Sequence, residues 1–299
     1  MARPMLYPSR RLVLAGAAAL AACSPKTPEK KAPAPAVGTG PTTLEAAVAG
    51  AWRTPADKAR DAFRHPVESL KFWGVKPGQT VVEFWPGAGW YTDIIAPFLA
   101  ATGGKLYAAN LQTDDLADVP AREVVAAFRQ KIEADRKRYG AVEITAFGRT
   151  SGPVAPAGSA DIVLFLRNLH NWMAAGIAEK AFRDAFAALK PGGVLGVEEH
   201  RADPGEAPDL LAESGYVPQA YAVRLAQEAG FQLAEASEIN ANPKDTKDHP
   251  FGVWTLPPVR RSSPRGEPED PAFDHSRFDA IGESDRMTLR FVKPAQPQA

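Results

Sequence analysis

The sequence predicts an α/β domain in which a mostly parallel sheet carries helices on both faces. Short apolar runs typical of buried strands alternate along the chain with longer segments of helical periodicity. Turn signals rich in Gly and Pro separate them, and the run at 161–166 has almost no polar residues. Strands that alternate with helices form parallel sheets covered on both sides. The predicted strands are 80–85, 105–109, 142–147, 161–166, 194–199, 231–239 and 287–292.

The predicted helices lie before and between these strands. Pro66 divides the first helical stretch, because proline lacks an N–H group and clashes with the preceding turn. Gly and Pro mark turns at 75–79 and 190–193, before the first and fifth strands. Gly230 is a good C-cap residue for the helix before the sixth strand. The helices are predicted at 46–63, 67–72, 90–101, 119–139, 174–189 and 217–229.

The charge balance argues against nucleic acid as a general partner. The 299 residues include 35 Lys plus Arg and 35 Asp plus Glu, so the formal net charge is zero. Binding to a phosphate backbone depends on a basic field, which this composition does not supply. The chain shows no internal repeat, and its length allows one substantial core.

The first 23 residues have the pattern of a lipoprotein export signal. A basic start precedes an uncharged run at 12–22, which is too short for an ordinary membrane helix. Residues 20–23 read Leu-Ala-Ala-Cys, which resembles the bacterial lipobox. Cys23 is the only cysteine in the chain, so no internal disulfide is expected. We therefore expect a lipid anchor on Cys23 that holds the protein in the bacterial cell envelope, facing the periplasm.

Two export routes remain open for this signal. Residues 9–14 resemble a twin-arginine signal, and an ordinary basic region before the apolar run explains them equally well. Residues 24–41 are rich in Pro, Ala and Lys and are predicted to form a tether. The predicted domain covers 42–299 and contains a Pro-rich insertion at 240–285, whose part 249–258 is expected to pack over a pocket.

The most informative motif follows the first predicted strand. Glu83, Gly87 and Gly89 form an E-x-x-x-G-x-G string directly before a helix. The glycines allow the backbone to approach a small ligand, and the amides that open the helix can meet its polar atoms. Ligands of parallel sheets bind at the carboxyl ends of strands, where this motif is predicted to lie.

With this motif, the chain resembles the class I S-adenosylmethionine-dependent methyltransferases. The Leu-Lys-Pro-Gly-Gly-Val-Leu string at 189–195 resembles the turn into the family's fifth strand. The Gly-Phe pair at 230–231 resembles the turn into the next strand. The resemblance covers about 67–293 and implies a Rossmann-like fold with a seven-stranded, mostly parallel sheet and an antiparallel last strand. It also implies S-adenosylmethionine as cofactor.

A narrower resemblance is to a group of predicted methyltransferases of the bacterial envelope. Three strings carry it: R-D-A-F-R-H-P at 60–66, P-G-A-G-W-Y-T at 86–92, and G-E-S-D-R-M-T-L at 282–289. This resemblance implies a fold and a ligand, and it leaves the reaction unassigned.

The family resemblance implies roles for several residues at the first two strand ends. Gly87 and Gly89 would back the methionine part of the cofactor, and Glu83 would meet its amine. Asn110 stands where the family usually has an acidic residue that binds the ribose hydroxyls. After the third strand, where the family often has an Asp for the adenine amine, this chain has Gly-Arg-Thr at 148–150.

Two further residues are predicted to contact the cofactor. Tyr91 belongs to an aromatic pair beside the glycine loop, and it is either a core anchor or a ligand contact. Asn168 follows the fourth strand, whose carboxyl end is expected to face the same ligand.

Candidate catalytic residues follow the fourth and fifth strands. His170 and Glu199 lie after neighbouring strands, so they are expected to converge with His200 and to deprotonate an acceptor. The alternative is that His170 anchors a loop and that 198–201 is a solvated strand end. No close His or Cys spacing supports a metal site, and none is predicted.

The sequence thus favours an S-adenosylmethionine-dependent methyltransferase that acts on a small molecule. A non-catalytic binding lipoprotein that retains the fold is the alternative, and the departures at Asn110 and 148–150 favour it. A nicotinamide-dependent oxidoreductase is a weaker third choice, because Thr92 occupies the position of the third glycine in the dinucleotide fingerprint. The sequence identifies no protein partner.

Overall fold

A seven-stranded sheet organises the computed structural model, which describes residues 40–114 and 118–295. The spatial order of the strands is β3-β2-β1-β4-β5-β7-β6, and β7 runs antiparallel to both of its neighbours. The pairs among β1 to β5 are parallel. The predicted fold class is therefore confirmed. The strands are β1 Thr80–Phe84, β2 Lys105–Leu111, β3 Val142–Phe147, β4 Ala160–Leu166, β5 Leu189–His200, β6 Gln232–Ser237 and β7 Arg286–Val292.

Helices cover the two faces of this sheet. One core packs between the sheet and the helices that follow β4 and β5, and the other packs against the helices before β1 and after β1 and β2. The helices are α1 Leu44–Val48, α2 Pro55–Ala59, α3 Asp61–Arg64, α4 Pro66–Phe72, α5 Thr92–Thr102, α6 Val119–Ala134, α7 Arg136–Tyr139, α8 Leu169–Ala174, α9 Ala178–Ala188, α10 Gln219–Glu228 and α11 Ser276–Ile281.

The continuous helix predicted at 46–63 is wrong, because the structure divides this segment into α1, α2 and α3. Thr54 begins α2 as its N-cap, and its side chain accepts a hydrogen bond from the Asp57 amide. Pro55 at the first helical position lacks the N–H group that would continue a preceding helix. The break at Pro66 is confirmed, since His65 adopts a left-handed conformation there and α4 begins at Pro66.

Two other predicted helices are also divided. The segment 119–139 breaks at Asp135, whose side chain accepts a hydrogen bond from the Arg138 amide and begins α7. The segment 174–189 contains the end of α8 and all of α9. Gly176 lies between them with φ of +63°, a conformation that ends a helix.

The insertion between β6 and β7 packs at the carboxyl edge of the sheet, as expected for 249–258. A short 3-10 helix at Gly252–Thr255 is largely buried. The Val253 amide donates to the Ser214 carbonyl at 2.8 Å. The Trp254 ring lies 5.9 Å from the His170 ring, so the insertion covers the end of β4.

The predicted export signal, Cys23 and most of the tether at 24–41 lie outside the described residues. Within the described ranges, no helix combines the length and the apolar character that crossing a bilayer requires.

The centre of the sheet depends on close contact between β5 and a tryptophan. Trp73 is fully buried, and its indole N–H donates to the Leu289 carbonyl of β7 at 3.1 Å. A Cβ atom on Gly196 of β5 would lie 2.5 Å from the Trp73 ring and 2.9 Å from Leu164. Only glycine therefore fits at position 196 without displacing the indole.

We predict that Gly196→Ala destabilises the protein by about 1–3 kcal/mol, because an added methyl overpacks a filled core. Denaturant unfolding with linear extrapolation measures this loss. Gly152→Ala is the control, since a Cβ there meets no atom within 4 Å and its φ is not in the left-handed region. Equal unfolding midpoints for the two variants would contradict the packing argument.

Candidate functional site

The glycine loop joins β1 to α5 at the carboxyl edge of the sheet. Both glycines have left-handed backbones, with φ of +57° at Gly87 and +87° at Gly89. A Cβ on Gly87 would meet no atom within 4 Å, so this residue faces open space. A Cβ on Gly89 would lie 3.1 Å from the Phe128 ring. Gly87 thus lies on the open side of the loop, whereas Gly89 allows α6 to pack close to the loop.

Helix α6 holds the glycine loop through a residue that the sequence reasoning missed. The Lys131 ammonium donates to the Ala88 carbonyl at 3.0 Å and to the Asp93 carboxylate at 2.6 Å. Tyr139 donates to the other oxygen of Asp93 at 2.8 Å. No motif marks Lys131, because the helical pattern of α6 explains its position as a surface lysine.

Trp85 ties three strand ends together below the loop. Its backbone is left-handed, with φ of +43°, which is uncommon for a bulky residue. Its amide donates to the Ala109 carbonyl of β2 at 2.8 Å. Its indole N–H donates to the Phe147 carbonyl of β3 at 2.9 Å. The indole therefore fixes the edge on which a ligand would lie.

Glu83 is a buried carboxyl group with one side-chain hydrogen bond among the described residues. It is 2 % exposed, and the Thr92 hydroxyl donates to it at 2.6 Å. Burial is the main cause that raises the pKa of Glu83 from 4.5 to about 7, and the negative charge of Asp93 adds to the shift. Thr92 and Lys131 oppose the shift. A cationic ligand beside Glu83 would stabilise the ionised form.

Asn110 lies at the end of β2, next to β1. Its Oδ1 accepts a hydrogen bond from the Leu111 amide at 2.8 Å. Its Nδ2 is buried and has no hydrogen-bond partner among the described residues. A buried donor without a partner is costly, so a ligand oxygen at this place would stabilise it.

The loops after β2 and β3 meet beside Asn110. The Gln112 side-chain amide donates to the Thr150 hydroxyl at 2.8 Å, and its oxygen accepts from the Thr150 amide at 3.2 Å. Gln112 thus occupies the space beside 148–150, where the resemblance would place an acidic residue.

Asn168 and Tyr91 are engaged in the scaffold. The Asn168 Nδ2 lies within 3.3 Å of the carbonyls of Phe84, Trp85 and Leu166, so it joins the ends of β1 and β4. The Tyr91 hydroxyl donates to Glu198 at 3.0 Å, and only 2 % of this residue is exposed. Direct contact of either residue with a cofactor stays a prediction.

The structure brings His170, Glu199 and His200 together at the ends of β4 and β5. The Glu199 Oε2 accepts from the amides of Leu169 at 2.6 Å and His170 at 3.3 Å. Its Oε1 accepts from the His200 amide at 2.8 Å and contacts His170 Nδ1 at 2.9 Å. Four partners fill the acceptor capacity of this carboxylate. Glu199 is therefore a positioning residue that aims the other ring nitrogen of His170.

His200 is held as a neutral imidazole beside His170. Its Nδ1 lies 2.6 Å from the Ser284 hydroxyl, and the two histidine rings are 5.3 Å apart. Burial, followed by the charges of His170, Arg286 and Arg167, keeps the pKa of His200 well below its ordinary value. A neutral ring can accept a hydrogen bond from a ligand.

These three residues also form a group whose ligand atoms lie within 4.8 Å of one another. Two properties oppose a metal ion at this place. Glu199 already has four hydrogen-bond partners, and the positive charges of Arg167 and Arg286 act on His200. The geometry therefore fits proton handling better than metal binding.

The strings at 60–66 and 282–289 line one cavity with these histidines, and Trp90 of the string at 86–92 packs against Arg64. Glu283 accepts hydrogen bonds from Arg60 at 2.8 Å and from Arg64 at 2.7 Å. Arg286 also donates to Glu283, at 2.7 Å. Asp285, which precedes Arg286 in the chain, pairs with Arg201.

A cavity of about 250 Å³ lies between the arginines and the insertion. Its polar wall contains the histidines and three arginines, and its apolar wall comes from the insertion. The lining residues are Arg60, Arg64, Arg167, His170, Asn171, His200, Val253, Trp254, Pro257, Pro258, Val259, Glu283 and Ser284.

No protein-family model and no curated protein sequence matches the chain. Solved structures match it in fold. The [4+2]-cyclase SpnF aligns with a TM-score of 0.55 and 16% identity over 83% of this chain and 85% of that one. A Galdieria sulphuraria protein provisionally assigned as a sarcosine dimethylglycine methyltransferase aligns with a TM-score of 0.51 and 14% identity, over 86% and 93% of the two chains.

A S-adenosylmethionine-dependent methyltransferase from Aquifex aeolicus aligns with a TM-score of 0.48 and 19% identity, over 61% of this chain and 87% of that one. The first two similarities establish the fold, which agrees with the expected Rossmann-like arrangement.

We predict that Glu83→Gln changes how stability depends on pH. The pKa of about 7 lies above the ordinary value of 4.5. The contribution of Glu83 to the stability of the wild-type protein is therefore full below pH 4.5 and is lost as the pH rises through 7. Gln cannot ionise, so the variant should gain up to about 3 kcal/mol relative to wild type between pH 4 and 8.

Urea unfolding of the ligand-free protein across this pH range measures the difference. Glu133→Gln is the control, because Glu133 is exposed on α6. Parallel curves of unfolding free energy against pH for Glu83→Gln and wild type would contradict the raised pKa of Glu83.

Proposed function

We propose that the protein binds S-adenosylmethionine and transfers its methyl group to a small molecule. The observation that carries this proposal is the combination of three features at neighbouring strand ends. Gly87 faces open space, Glu83 is a buried carboxyl group without a cationic hydrogen-bond partner, and Asn110 presents an unpaired buried donor. An amino acid joined to a nucleoside has the complementary groups.

Each of these residues would meet a different part of the cofactor. Glu83 would accept hydrogen bonds from the amine, and the positive charge would lower the pKa of its carboxyl group. Asn110 Nδ2 would donate to a ribose hydroxyl, and the loop at Gly87 would lie against the methionine part. The cofactor supplies an electrophilic methyl group bound to a positively charged sulfur.

His170 is the proposed acceptor of the proton released by the substrate. The methyl group would come from the cofactor held by Glu83, Gly87 and Asn110, and it would pass to a nitrogen or oxygen of the substrate. The proton of the substrate passes to His170, whose ring is oriented by Glu199 at 2.9 Å. The insertion contributes Trp254 to the cavity wall beside His170.

The alternative is a binding protein with this fold that transfers no methyl group. SpnF, a [4+2]-cyclase, has a similar fold, so methyl transfer is not the only reaction of such folds. Asn110 in place of a carboxylate also favours this alternative, since an amide binds a hydroxyl less strongly. The glycine loop and Glu83 favour the methyltransferase.

We further propose that the protein is anchored in the bacterial envelope by lipid on Cys23. The support is the sequence of the first 23 residues, with an apolar run that ends at the only cysteine. The zero net charge supports a small-molecule substrate over nucleic acid.

We predict that refolded wild-type protein binds S-adenosylmethionine and S-adenosylhomocysteine with micromolar affinity, about −8 kcal/mol. Gly87→Asn should weaken both at least about tenfold, because the added side chain enters the open face of the loop. Asparagine tolerates the left-handed backbone, so the fold should persist. Titration calorimetry after unfolding and refolding, which removes carried ligand, measures the affinity.

Gly158→Asn is the matched control. Gly158 has φ of +62° and open space around its Cβ, and it precedes β4 at the opposite edge of the sheet. Absence of binding at millimolar cofactor by a folded wild-type protein would favour the binding-protein alternative.

We predict that globomycin causes an unprocessed precursor to accumulate when the full-length gene is expressed in a bacterium with a lipoprotein pathway. Mass spectrometry of the N-terminal peptide measures processing and lipid attachment at Cys23. Cys23→Ser should carry no lipid with or without the inhibitor. A mature wild-type protein that lacks lipid would refute the anchor.

A further inference from the structure

We propose that the methyl acceptor carries a carboxylate, which is bound by the arginines of the 250 Å³ cavity. This inference rests on the proposed function, because it names the substrate class of the same site. The guanidinium groups belong to Arg60, Arg64 and Arg167, and the histidines face the same cavity.

The first support is an imbalance of charge. Arg286 joins the three lining arginines in one network through Glu198 and Glu283. A third carboxylate, Glu199, pairs with His170 beside this network. Four guanidiniums therefore meet three carboxylates. Tyr91 and His200 add no charge, because burial raises the pKa of Tyr91 and lowers the pKa of His200. One positive charge is left.

Burial makes this excess charge costly. Arg64 is only 4 % exposed, and Arg286 only 1 %. An uncompensated charge in such surroundings costs several kcal/mol, and a bound anion offsets that cost. The network is thus organised to receive one negative charge.

The second support is the supply of unused donors. Among the described residues, the side-chain hydrogen bonds of Arg60 and Arg64 come from Nε alone. Arg167 uses one terminal nitrogen, on Glu198 at 2.9 Å. A guanidinium has five N–H donors, so several remain for a ligand on the cavity side. A planar fork of two N–H groups matches the two oxygens of a carboxylate.

The geometry favours a carboxylate over the other charged ligands. A carboxylate carries one negative charge, which matches the one guanidinium in excess of the three carboxylates, whereas a phosphate carries up to two. A metal cation would add to the positive charge and would need Glu199, which already has four partners. The volume is below the usual 300 Å³ for a drug-sized ligand, so a small metabolite fits.

The opposite wall shapes the rest of the acceptor. Trp254 and Pro258 give it an apolar surface, and His170 lies beside Trp254 with ring centroids 5.9 Å apart. An acceptor held by its carboxylate would place its body against the insertion. Its amine or hydroxyl would then meet His170.

The test is a titration of the full-length protein in detergent with benzoate, benzamide and inorganic phosphate, followed by ligand-observed NMR. Benzoate should bind about tenfold more tightly than benzamide, because charge-assisted bonds to arginine are lost in the amide. Arg60→Gln should weaken benzoate binding about tenfold and should leave benzamide unchanged. Arg60 is the residue of choice because it is partly exposed, so its replacement leaves Arg64 and Arg286 on Glu283.

Two further variants complete the design. Arg183→Gln removes an exposed arginine of α9 and should leave benzoate binding unchanged. Arg60→Lys keeps the positive charge but lacks the planar pair of N–H donors, so its affinity for benzoate should be intermediate. It is used in place of Arg60→Gln if that variant has a much lower unfolding temperature than wild type. Three results would each overturn the proposal. Benzoate and benzamide could bind equally well, or Arg60→Gln and Arg183→Gln could have equal effects on benzoate binding. The third is that phosphate binds more tightly than benzoate.

A parallel titration with S-adenosylmethionine separates the two levels of inference. Cofactor binding without selectivity for benzoate overturns the carboxylate acceptor alone. Arginine-dependent benzoate binding without cofactor binding supports the anion site and overturns the methyltransferase assignment on which the acceptor role rests.

Discussion

The structure of the carboxyl edge depends on one buried arginine, Arg286. It lies at the start of β7, is 1 % exposed, and bridges Glu283 at 2.7 Å and Glu198 at 3.3 Å. Through these two carboxylates it joins α3, β4 and β5 into one network. Loss of one partner from such a buried pair typically costs 3–5 kcal/mol, because a bare charge remains. The position of the candidate acceptor cavity therefore follows from the antiparallel placement of β7.

Tyr91 links this network to the glycine loop. Its hydroxyl donates to Glu198, and the Arg167 guanidinium lies 5.7 Å from the centre of its ring. The same residue directly precedes α5, whose Thr92 donates to Glu83. The adjacent residues Tyr91 and Thr92 thus contact both Glu198, which pairs with Arg167, and Glu83, which is proposed to meet the cofactor. The arginine network and the glycine loop are therefore connected through two consecutive residues of the chain.

Local patterns in the sequence predicted the central strands well, because the apolar runs of β1, β2 and β4 are set by burial on both faces. The prediction for β4 begins one residue late and ends at the same residue as the structure, and the glycine loop lies where the alternation placed it. The first helical stretch was predicted poorly, because Thr54 and Pro55 begin a new helix inside it. The network was not predictable, since Arg64 and Glu283 are 219 residues apart and either charge alone is typical of a surface. Lys131 was missed for the same reason.

Among the buried carboxyl groups of this edge, Glu199 and Glu83 have opposite surroundings. Glu199 accepts from three amides and contacts the His170 ring, so its charge is compensated inside the protein. Glu83 has the Thr92 hydroxyl as its hydrogen-bonding partner, and burial raises its pKa to about 7. A protein gains nothing in stability from such a group above neutral pH. A cationic ligand would remove that penalty, which is consistent with the cofactor site proposed for Glu83 and Gly87. The same reasoning applied to the arginine network, with the sign reversed, assigns an anion to the other half of the edge.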